Sequence, residues 1–79
     1  MKFEDFINEI HKEVEKFPEL RILTKGKFTI VIQTLQGGSE FQILQIPTRK
    51  ENSDINEHYL AECKNIIKNR RGTRVIPKN

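Results

Sequence analysis

The sequence predicts an α+β domain, a two-layer sandwich in which two helices pack on a three-stranded antiparallel meander in the order α-β-β-β-α. Three observations carry that expectation. Apolar residues recur at a helical period across residues 2–16, alternate with a period of two through residues 28–46 around Gly37-Gly38, and return to a helical period across residues 55–67. A chain of 79 residues leaves room for one domain, because a domain usually takes on the order of 100 residues. Residues 1–72 are read as that single domain and residues 73–79 as a C-terminal tail.

The first helix is expected from Lys2 to Lys16. Phe3, Phe6, Ile7, Ile10, Val14 and Phe17 form one stripe at its spacing, and Pro18 biases Phe17 out of the helical region. Its outward face is expected to carry Glu9, Lys12, Glu13, Glu15 and Lys16, with the i,i+4 pairs Glu9–Glu13 and Lys12–Lys16 mildly repulsive. Packing must therefore hold this helix.

Strand signals begin at Leu20. The segment Leu20-Arg21-Ile22-Leu23-Thr24 reads as a first strand; a two-residue loop at Lys25-Gly26 would set Leu23 beside Phe28 on the core face, whereas a three-residue loop, the choice that buries more, would place Leu20 and Ile22 there. The next two strands form a hairpin about Gly37-Gly38, since a two-residue type I′ turn needs positive φ at both central positions. That loop opposes Ile32 to Ile43 and Ile30 to Gln45. It collects Phe28, Ile30, Ile32, Phe41 and Ile43 on one face, which is taken as the core. The second face carries Thr29, Val31, Gln33, Leu35, Gln42, Leu44 and Ile46, more apolar than a solvated face requires.

Pro47 stops the last strand, and residues 48–53 form a polar loop. Asp54-Ile55-Asn56-Glu57 has capping-box spacing, with Asp54 as the N-cap. Ile55, Tyr59, Leu60, Cys63, Ile66 and Ile67 then form the stripe of a second helix, with Lys68, Arg70 and Arg71 in its last turn and Gly72 as its C-cap. Beyond it, Thr73-Arg74-Val75-Ile76-Pro77 can serve as a short edge strand or a loose end. This order of elements is similar to that of the double-stranded RNA-binding domain in topology alone. Asn52-Ser53-Asp54-Ile55-Asn56-Glu57 stands where that family carries a lysine cluster, and the family's glycine-rich run before the helix is absent.

Composition narrows the function classes. A lone cysteine, Cys63, excludes a disulfide framework. No apolar run exceeds three residues, as in Ile30-Val31-Ile32, so neither a membrane span of about 20 residues nor a signal-peptide core is expected. The amphipathic start Met1-Lys2-Phe3-Glu4-Asp5-Phe6 suggests a cytoplasmic chain without a membrane partner. Catalysis is not expected. Cys63 sits mid-stripe as a buried, inert thiol, and His11 and His58 lie at the flanks of different helices, although such a pair can in principle work as acid and base. No metal-ligand spacing or phosphate loop is present, and no cofactor is predicted.

The formal net charge is only +3, but it is unevenly placed. Six acids and three lysines occupy residues 1–19, whereas residues 63–79 hold six bases and no acid. Complementarity with helix dipoles is one explanation; an anionic partner is the other. The candidate site for DNA or RNA is Lys64, Lys68, Arg70, Arg71 and Arg74, with Arg49 and Lys50 as a second pair. Contact would be made mostly to phosphate, because the phenylalanines read as core residues that leave few aromatics for base stacking. The alternative is a protein-interaction or homodimeric regulatory module using the second sheet face at Val31, Leu35, Leu44 and Ile46.

Overall fold

The computed structural model describes residues 1–69. Its elements follow the predicted order: α1 (Phe3–Glu15), β1 (Leu20–Lys25), β2 (Phe28–Thr34), β3 (Glu40–Pro47) and α2 (Glu57–Lys68). The strands form one open antiparallel sheet in the order β1-β2-β3. Both helices cover one face of it, burying Phe3, Phe6, Ile10 and Val14 of α1 and Cys63 and Ile67 of α2. The helices are joined by stacking of Phe6 on Tyr59, with ring centroids 5.4 Å apart.

Sheet register depends on two turns. Lys25 opposes Phe28 across a two-residue loop of Gly26 and Lys27. Gly26 has φ of 61°, the positive value that a type II′ turn requires at its first central position. The expected three-residue loop is thus shorter by one, yet Leu20 and Ile22 still reach the helix-covered side, opposite Gln33 and Val31. In the second hairpin Leu35 N–H donates to Ser39 C=O at 2.7 Å, so three residues, not the expected two, lie between them. Thr34 then opposes Glu40, and Ile32 opposes Gln42 rather than Ile43.

A bulge between Val31 and Ile32 absorbs this shift, so Val31 opposes Leu44 and Ile30 opposes Gln45, the latter as predicted. A bulge sets two residues of one strand against one of its partner. Here Ile43 and Leu44, adjacent in sequence, both belong to the core under the helices. Phe41 joins them from the N-terminal side of the bulge, and Ile46 from the C-terminal side.

The predicted assignment of faces is therefore inverted along β2. Thr29, Val31 and Gln33 lie under the helices and are buried. Phe28 and Ile32, expected in the core, lie on the uncovered side, and Ile30 is buried there by its neighbours rather than by a helix. The second face expected to serve a protein partner, with Val31, Leu44 and Ile46, is the one the helices occupy. Summed over three strands, it carries the larger apolar area.

Two helix-end expectations also change. Asn56, not Asp54, is the N-cap of α2, its Oδ1 accepting from His58 N–H at 2.8 Å. The Asp54 backbone instead forms an antiparallel β-bridge with that of Lys2, with Ile55 N–H donating to Met1 C=O at 2.6 Å, and the Asp54 carboxylate pairs with the N-terminal ammonium at 3.3 Å. On α1, Glu13 is buried at 3% exposure rather than outward-facing. Its Oε1 accepts from Lys16 while Oε2 finds no hydrogen-bond partner among the described residues. The expected cap Gly72, the boundary after it and the tail at 73–79 lie outside the described residues.

Candidate functional site

The uncovered sheet face is built in rows. Arg21, Ile32 and Gln42 form one, Leu23, Ile30 and Gln45 the next, and Lys25, Phe28 and Pro47 the last. Apolar side chains thus run down the central strand, each with at least one polar or cationic neighbour. Lys25, Gly26, Lys27, Phe28, Ile30, Gln42 and Gln45 line a shallow depression of about 440 Å³ at the turn end. Phe28, 38% exposed, is the one large apolar side chain open to solvent among the described residues. Gln42 Nε2 donates to Gln45 Oε1 at 2.8 Å. That bond leaves Gln42 Oε1 as an acceptor and Gln45 Nε2 as a donor, with no further protein partner among the described residues.

Charge concentrates at the same end. Lys25 and Lys27 flank the turn, and Thr48 N–H donates to Lys27 C=O at 2.8 Å, which ties the chain leaving β3 to that turn. Arg49 and Lys50 follow directly and are exposed. Arg49 lies near enough to Tyr59 to favour its phenolate, although burial, the larger effect, pushes the Tyr59 hydroxyl above its ordinary value. None of these four cations forms an ion pair among the described residues. At the far end of the face Arg21 pairs with Glu40, which neutralises it.

The predicted basic site is only partly brought together. Arg49 and Lys50 follow Thr48, whose N–H meets Lys27 C=O, so they leave the sheet at the end that holds Lys25 and Lys27, with Arg49 near Tyr59 of the helix layer. Lys64 is occupied by Glu9 at 3.1 Å, and that hydrogen bond, followed by the charge of Lys12, holds the Glu9 carboxyl below its ordinary value. Lys68 is exposed at the far end of α2, about 18 Å along a 12-residue helix from its start. Arg70, Arg71 and Arg74 lie outside the described residues. Sequence reasoning missed Lys25, Lys27 and Phe28 as site residues. The available signal was Lys25-Gly26-Lys27-Phe28 itself, a tight turn whose side chains project beyond the sheet.

The groups considered for catalysis stand apart. Cys63 is 1% exposed, and burial pushes its thiol up against the opposing effect of a hydrogen bond from Tyr59. His11 and His58 are exposed on different helices, with no side-chain hydrogen bond between them among the described residues. Among those residues no three His, Cys, Asp or Glu side chains are arranged to hold a metal ion. No described helix is long and apolar enough to cross a membrane.

Fold and surface together define a small α+β domain with an open sheet face that is cationic at one end. No family model matches the chain, and no curated protein or solved structure matches it.

Proposed function

We propose that this chain is a small, non-catalytic nucleic-acid-binding domain that contacts phosphate through the turn end of its sheet. The observation that carries the reading is the gathering of Lys25, Lys27, Arg49 and Lys50 at one end, without carboxylate partners among the described residues. Unpaired cations retain their field for an external anion, whereas Lys64 spends its own on Glu9. Lys68, Arg70, Arg71 and Arg74 of the basic C-terminal segment extend the proposal as further phosphate contacts. A cytoplasmic setting is part of it and suits a single unbridged cysteine.

Fluorescence anisotropy with labelled DNA and RNA oligomers, single-stranded and duplex, at several salt concentrations tests the reading. Affinity should fall steeply with salt. Lys25→Ala/Lys27→Ala should weaken binding and flatten the salt slope by about 0.7 to 0.9 for each phosphate that is no longer neutralised. Absence of binding to any oligomer at low salt sinks the proposal.

A protein contact is the second reading, moved to the uncovered face by the stripe of Leu23, Phe28, Ile30 and Ile32. It ranks lower because Phe28 alone among them is open to solvent, too little apolar area for a stable interface. Light scattering over a range of concentrations checks its homodimeric form. A constant monomer mass removes that form.

A further inference from the structure

We infer that the preferred ligand is single-stranded, with one unpaired base stacked on Phe28. The inference rests on the phosphate-binding reading and adds what the ligand must present. Phe28 is 38% exposed at the mouth of the depression. Its neighbours across the sheet are Lys25 on one side and Pro47 on the other. An exposed aromatic ring beside unpaired cations offers a base its π-face and the flanking phosphates their counter-charge, which is how proteins hold single strands.

The depression supplies polar recognition as well. Gln45 and Gln42, one and two rows along the sheet from Phe28, line the same depression, and Gln42 Oε1 and Gln45 Nε2 give it one acceptor and one donor, a complement to the exposed edge of an unpaired base. A base inside a duplex has its hydrogen-bonding edge occupied and its faces stacked, so it presents neither surface. The occupant is chosen by charge. A basic or neutral apolar segment would meet Lys25 and Lys27 with no compensating anion, whereas a phosphate chain meets them with one at each nucleotide.

The chain has no tryptophan, so Phe28→Trp creates a single reporter at the stacking position. With the full chain, an unlabelled single strand should quench that fluorescence in step with binding followed by anisotropy on a labelled one. A duplex of the same sequence should bind more weakly and quench little. Phe28→Ala should lower single-strand affinity about 5- to 150-fold while leaving the weaker duplex binding nearly unchanged, and Phe28→Tyr should restore most of the loss. Melting curves verify that the variants are folded. Binding with unchanged tryptophan emission, or equal loss for both ligands in Phe28→Ala, overturns the inference and leaves the phosphate reading standing. Only if neither the single strand nor the duplex binds at low salt do the phosphate reading and this inference both fall.

Discussion

The two faces of the sheet divide the apolar residues of β2 contrary to what that strand alone suggests. The covered side receives Thr29, Val31 and Gln33, and the uncovered side Phe28, Ile30 and Ile32. Neighbouring strands reverse the balance. Under the helices lie Leu20 and Ile22 from β1 and Phe41, Ile43, Leu44 and Ile46 from β3, whereas the open side gains only Leu23 and Pro47 beside the polar or charged Arg21, Lys25, Gln42 and Gln45. Burial is decided by the area a whole face can hide, not by the alternation of one strand. The more apolar side of β2 is thereby left without a covering helix.

The largest expected effect comes from core truncation. Ile46→Ala, at a side chain 1% exposed under the helices, should cost about 2–5 kcal/mol in urea unfolding. Ile32→Ala on the open side should cost less than half of that. Equal losses would mean that both faces are covered in solution and would break the distinction.

A smaller effect sharpens it. Gln33 Oε1 is buried on the covered side without a hydrogen-bond partner among the described residues, a costly arrangement for an acceptor. Gln33→Met keeps similar bulk and should raise stability by about 1 kcal/mol. A clear fall would show that the amide is satisfied and that this face is less dry than its burial implies.

The smallest effect lies in the helix layer. The folded-state pKa of Glu9 is lowered by Lys64 and Lys12, so its contribution to stability is present above the ordinary carboxylate value and lost as pH falls through the depressed one. Removing the cation in Lys64→Ala should raise the Glu9 midpoint toward the ordinary value in an NMR carboxyl titration, with single-strand affinity little changed. An unmoved midpoint argues that the pair does not persist in solution. A large loss of affinity would return Lys64 to the binding surface.

Element order and helix stripes are legible in the sequence because a 3.6-residue period and strand alternation are local properties. Phe3, Phe6, Ile10 and Val14 require no knowledge of their partners. The register is not legible, since it depends on the loop between Leu35 and Ser39 and on the bulge beside Ile43, neither of which has a strong local signature. The site suffers in turn. Arg49 and Lys50 stand out from charge alone, but alternation places Phe28 in the core, a choice of face that the bulge reverses. Lys25 and Lys27 read only as turn residues, because the bond from Thr48 N–H to Lys27 C=O, which brings the Arg49-Lys50 segment to this turn, is a tertiary contact.

The extra residue in β3 acts as a half-wavelength slip in the side-chain series. Odd-numbered positions point toward the helices before it and even-numbered positions after it, which lets one strand spend Phe41, Ile43, Leu44 and Ile46 in the same direction. Removing Ile43 would put the two halves back in phase and turn one of them over. Any relative lacking a counterpart of Ile43 should therefore show a rearranged hydrophobic code on one side of that point, and threading it onto this strand without a gap would misplace each residue there by one.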